Sequence, residues 1–96
     1  MSVNIHLSFE IQNIPENKKE IVYSKAITFF KNKNLFDELM IEWEGKNKNC
    51  LVAHEIEPII FRHVEKNITL LKDEWQNVFK KTLTECNIFL SYGLAD

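Results

Sequence analysis

Nine consecutive residues near the N-terminus, Val3 to Ile11, alternate in polarity without a break. Val3, Ile5, Leu7, Phe9 and Ile11 fall on one side; Asn4, His6, Ser8 and Glu10 fall on the other. A helix would scatter these apolar residues around its axis, whereas a period of two puts them on one face of a strand. The chain therefore opens with a strand that needs a layer over one face. Its other face is left to solvent or a partner, as antiparallel and mixed sheets allow.

The covering layer is predicted from two helical stretches. After the break at Gln12–Asn17, Pro15 suits a first helical position, and Asn17 with Glu20 resembles a capping box. The helix then runs to about Lys33, with Val22, Ala26, Phe29 and Phe30 at helical spacing and lysines on the remainder. Asn32 and Asn34 are candidate terminators. The second stretch reads mainly helical from Pro58 to Asn87. Its stripe is Leu71, Trp75, Val78, Phe79, Thr82 and Cys86, and Glu85 falls among its outward polar residues. Residues 58–66 fit either a short helix, from Pro58 with Ile60 and Val64 at i,i+4, or a strand, from Ile59-Ile60-Phe61; the helix is preferred. A break is expected at Asn67-Ile68-Thr69.

Between these stretches, Leu39, Ile41 and Trp43 alternate with Met40, Glu42 and Glu44 as a second strand. Gly45 to Asn49 has turn composition. A third strand follows from Cys50 to Ile56, with either of its faces inward, and Pro58 ends it. Ile88 to Tyr92 is the last strand. The order strand–helix–strand–strand–helix–strand predicts a single α+β domain over residues 1–96. Its expected form is a βαββαβ (ferredoxin-like) sandwich, with helices on one face of an antiparallel or mixed sheet and the first and third strands central.

Charge is distributed unevenly along the chain. Residues 1–36 hold three acids and five lysines, residues 37–57 six acids and two lysines, and residues 58–96 five charges of each sign. Nucleic-acid binding needs a basic face to neutralise phosphates, so direct nucleic-acid binding is disfavoured and a basic protein partner favoured. The opening residues lack the basic start and apolar run of a signal peptide, and no stretch has the apolar length of a membrane span. A cytoplasmic protein without membrane association is expected, with two reduced thiols.

Motifs for chemistry are absent or fail on spacing. His54-Glu55 begins like a metalloprotease helix, but position 58 is Pro and the next histidine is His63. Cys50 and His54 are four residues apart on one strand face, roughly 13 Å at strand rise, too far for a nucleophile–base pair. Two glycines make no phosphate loop, and the single arginine, Arg62, gives little to anion chemistry. An open sheet face would gather His6, Ser8, Glu10, Glu42, Glu44 and either His54 or Glu55. Such a face reads mainly as solvated surface, with a metal-binding or enzymatic use of its histidines as the alternative function.

The acids of residues 37–57 remain. Asp37, Glu38, Glu42, Trp43, Glu44, Glu55 and Glu57 form the expected partner-binding surface, because like charges held this close cost stability that solubility does not require. The expected function is a small non-enzymatic binding or inhibitor protein, without cofactor or metal, that blocks a basic, nuclease-like protein. Bacterial immunity proteins that neutralise nuclease toxins, and phage inhibitors of host defence, have this size and charge style. A homodimer pairing sheets through the open face is a further expectation.

Overall fold

The computed structural model describes residues 2–83 and 86–95. Its elements are β1 (Ser2–Gln12), α1 (Lys19–Asn32), β2 (Leu39–Glu44), β3 (Cys50–Glu55), β4 (Ile59–Arg62), α2 (Val64–Phe79) and β5 (Asn87–Leu94). The chain is α+β, a βαββαβ-like order with one strand added between β3 and α2. All strand pairs are antiparallel.

β1 is the axis of the sheet. β5 runs along one edge of it, from Ile5 opposite Leu94 to Gln12 opposite Asn87. The other edge is shared: β3 pairs with Ser8–Ile11, and β4 with Ser2–Ile5. β2 lies outside β3. The first and third strands are therefore interior, as the crossover argument predicts.

The alternation in β1 is expressed fully. Ile5, Leu7, Phe9 and Ile11 are buried, and both helices cover that face. α1 buries Val22, Ala26, Phe29 and Phe30, the predicted stripe, and α2 buries Ile68, Leu71, Trp75 and Phe79. Trp75 joins the layers. Its ring lies 5.0 Å from Phe9, 5.3 Å from Phe30 and 4.9 Å from Phe79. Its indole N–H donates to the Phe89 carbonyl at 3.1 Å, so burial strands no polar atom.

Several boundaries differ from the sequence reading. Residues 59–62 form a strand, not a helix. Ile59 and Phe61 face Ile5 and Val3 across the ladder, and β1, which extends to Ser2, gains a partner there that the i,i+4 pairing of Ile60 and Val64 could not supply. His63 then takes a left-handed backbone (φ 49°) and the chain turns into α2. α2 crosses Asn67-Ile68-Thr69 without a break, because Ile68 sits one turn before Leu71 and two before Trp75, on the same buried stripe. It ends at Phe79, short of the predicted extension to Asn87; Thr84 and Glu85 lie outside the described residues. The capping box at Asn17 does not form, since Lys18 precedes α1 and no side chain caps it. At the other end Asn34 does terminate the helix. It adopts φ 58°, its N–H bonds the Lys31 carbonyl, and the Leu35 N–H reaches the Phe30 carbonyl, the paired bonds of a Schellman ending. β5 extends through Gly93 and Leu94, residues expected to be a tail.

Candidate functional site

The face of the sheet away from the helices carries the polar half of every alternation. Leu51 and Ala53 lie opposite Ile11 and Phe9 in the core. This settles the orientation of β3: Cys50, Val52 and His54 look out with Ser8 and Glu10. β2 contributes Met40, Glu42 and Glu44, which stand opposite His54, Val52 and Cys50. From β5 come Phe89, Ser91 and Gly93, opposite Glu10, Ser8 and His6.

Three acids converge on this face. Val52 has Glu10 across from it on one side and Glu42 on the other, and Glu44 stands opposite Cys50. Glu10 and Glu44 flank the Cys50 thiol, which lies 3.7 Å from Glu10 Oε1. Burial pushes the Cys50 pKa up to about 11, with the Glu10 charge, its hydrogen bond and the Glu44 charge adding to the rise. The thiol is thus held protonated and is a poor nucleophile. Gln12 orients Glu10 through a 2.9 Å bond to Oε2. His54 Nε2 lies 4.0 Å from Glu42 Oε2, at the margin of an ion pair.

The seven residues expected to form one partner surface do not share it. Glu42 and Glu44 are on the open face. Trp43 points to the opposite side, opposite Leu51, stacked at 6.2 Å on Tyr23 of α1, with Lys19 Nζ 5.7 Å from its ring. Asp37 and Glu38 form a short 3-10 turn leading into β2, and the Ile56 N–H bonding the Glu38 carbonyl at 3.0 Å brings that turn beside exposed Glu57. Glu55 is withdrawn from the surface; its side chain is only 13% exposed.

The position of Glu55 has a specific cause. Ser8 faces His54 and Ile5 faces Ile59, so two residues of β1, His6 and Leu7, lie opposite four, Glu55 to Pro58. The added residues bulge and withdraw the carbonyl that the Leu7 N–H would otherwise meet. Glu55 Oε2 accepts that N–H at 2.9 Å, and Oε1 lies 2.7 Å from His6 Nδ1. Burial pushes the Glu55 pKa up, but the bonds from Leu7, His6 and its own backbone N–H outweigh it and hold the carboxyl below its ordinary range. Glu55 therefore splices a broken ladder. Glu10 is the acid that joins Glu42 and Glu44 instead. The alternation of β1 already marked Glu10 as outward; only the strand pairing placed it beside acids more than thirty positions away in sequence.

His6 is engaged by Glu55, and no group of three or more His, Cys, Asp or Glu among the described residues is placed to hold a metal ion. No helix among the described residues is long and apolar enough to cross a membrane. Searches against protein-family models, curated proteins and solved structures find no match.

Proposed function

We propose that this chain is a non-enzymatic binding protein that presents its open sheet face to a basic protein, and that it acts as an inhibitor by covering a cationic, nuclease-like site. The observation that carries this reading is the gathering of acids at one end of the uncovered sheet face. Glu10, Glu42 and Glu44 gather on the uncovered face, and among the described residues the strands hold no lysine; Arg62 of β4 shares the face but stands opposite Ser2, at the far end of β1 from Glu10, while the lysines sit on the helices, in loops and in the β2–β3 turn. Solvation alone would be served by mixed signs, whereas a local concentration of one sign steers an opposite partner and speeds its docking. Exposed Met40 and Phe89 flank the acids and supply apolar contact.

The test is kinetic. A partner captured on the immobilised protein is identified, and its association is measured for the native chain and for Glu42→Lys/Glu44→Lys at low and physiological salt. The double reversal is expected to lower the on-rate about tenfold or more and to flatten its salt dependence, with a smaller change in the off-rate. An unaltered on-rate and salt slope would remove the acidic face from the interaction. Zinc titration checks the rival histidine reading: this proposal expects no rise in melting temperature.

A further inference from the structure

The outer edge of β4 has a donor and acceptor pattern that matches itself. Among the described residues β4 pairs with β1 alone, because β2 begins at Leu39 opposite Glu55 and does not reach it. The directions of its backbone groups follow from β1. The Leu7 N–H points to the β3 side, where Glu55 takes it, and the Asn4 carbonyl points to the β5 side, where it accepts from Ala95. Odd residues of β1 thus bond toward β3 and β4, and Ile59 and Phe61 are the β4 residues that meet them. Pro58, Ile60 and Arg62 turn their backbone groups outward. Pro58 offers a carbonyl and no N–H. Ile60 offers both. Arg62 offers an N–H, since the Asn67 side-chain amide donates to its carbonyl.

We propose that this edge pairs with the same edge of a second copy of the chain, antiparallel about a two-fold axis at Ile60. In that register Ile60 exchanges two hydrogen bonds with the partner's Ile60, and the Arg62 N–H donates to the partner's Pro58 carbonyl, reciprocally. The only ladder bond left out would join a proline nitrogen to the Arg62 carbonyl. The proline has no hydrogen to give, and Asn67 already satisfies that carbonyl.

Side chains and charge fit the same register. Ile60 is 69% exposed and would be buried against its mate. A groove of about 620 Å³ runs beside β4, bounded on α2 by Asn67, Leu71 and Glu74. Exposed Leu70 lies at helical spacing between Asn67 and Glu74 and adds an apolar rim. Arg62 stands at one end of this groove, and Glu38 at the other with exposed Glu57 beside Pro58. Antiparallel pairing sets Arg62 of each copy against the partner's Glu38 and Glu57. Soluble proteins guard open edges with charges, bulges or covering groups. β2 alternates Glu42 and Glu44, and Gln76 holds the outward Ile88 carbonyl of β5. The guards on β4, Pro58 with the bulge before it and Arg62, lie at its two ends, and Ile59-Ile60-Phe61 between them carries no charge. A two-fold axis normal to the sheet keeps the helices of both copies on one side and brings both open faces together on the other.

Light scattering on size-exclusion fractions is expected to give about twice the 11.4 kDa chain mass, and the Ile60 amide to gain exchange protection as concentration rises. Ile60→Lys, a substitution at an exposed site, is expected to yield a folded monomer. Arg62→Glu should weaken the dimer, and adding Glu57→Lys should restore part of it. A native chain that stays monomeric across a wide concentration range overturns the proposal. So does a dimer that survives Ile60→Lys or is broken instead by Leu94→Lys on β5. These outcomes are independent of whether a basic partner binds the acidic face.

Discussion

The two faces of β1 are built from alternate residues of one strand, yet different forces act on them. On the covered face Phe9 meets Phe30 and Trp75 at 5.0 Å each, and every side chain is pinned by several neighbours. On the open face Glu10 meets Gln12 and Cys50, and His6 meets Glu55, through isolated polar contacts at a solvent boundary. Burial dictates identity on the first face, because a lost contact leaves a cavity that a packed interior cannot collapse. Little about folding dictates identity on the second. A cluster of like charges there is consequently informative in a way that a buried Phe is not.

Substitutions on the two faces should therefore differ in size and in kind. Trp75→Ala, which empties the centre of the aromatic cluster, is expected to cost about 3–5 kcal/mol in urea denaturation. A loss under 1 kcal/mol would show that the covered face is less tightly packed than its ring distances imply. Glu55→Ala comes next, at about 1–3 kcal/mol, because it leaves the Leu7 N–H without an acceptor at the bulge. The pH dependence fixes the sign of that contribution. A carboxyl whose folded pKa is depressed stabilises the fold above its unfolded pKa, near 4.3, and loses that effect as pH falls through the folded value. Native and Glu55→Gln stabilities should accordingly converge in acid; a constant gap would refute a carboxylate held ionised by its hydrogen bonds.

On the open face, Glu42→Lys/Glu44→Lys should change stability by no more than about 0.5 kcal/mol while altering association as described above. A large loss would make those acids part of the fold and blur the contrast between the faces. The smallest effect concerns Cys50. Its thiol should alkylate slowly at neutral pH, and Glu10→Gln should speed the reaction modestly by removing a neighbouring charge. Rapid modification of the native protein would contradict the protonated, acid-flanked thiol.

Much of the fold was legible because it rests on local periodicity. The alternation of residues 3–11 and the helical stripes at Val22–Phe30 and Leu71–Phe79 each report one buried face, and burial is what periodicity measures. Residues 58–66 were not legible for the same reason. Four apolar and polar residues satisfy either period, and the choice was made by β1, whose first residues lie more than fifty positions away and needed a partner strand. The candidate site was half legible. Glu42 and Glu44 were placed correctly by alternation, whereas Trp43 was grouped with them by adjacency although adjacent strand residues face opposite ways.

The sequence by itself determined which side chains of each long element are apolar, and with that the α+β class and the polarity of the sheet's two faces. Tertiary structure alone decided register. Two extra residues opposite His6 and Leu7 drew Glu55 into the ladder, the β1–β3–β2 pairing brought Glu10 to Glu42 and Glu44, and the start of β2 at Leu39 left the β4 edge unpaired. Register depends on which distant backbone groups meet, and a strand shifted by a residue keeps its composition while exchanging every neighbour it has.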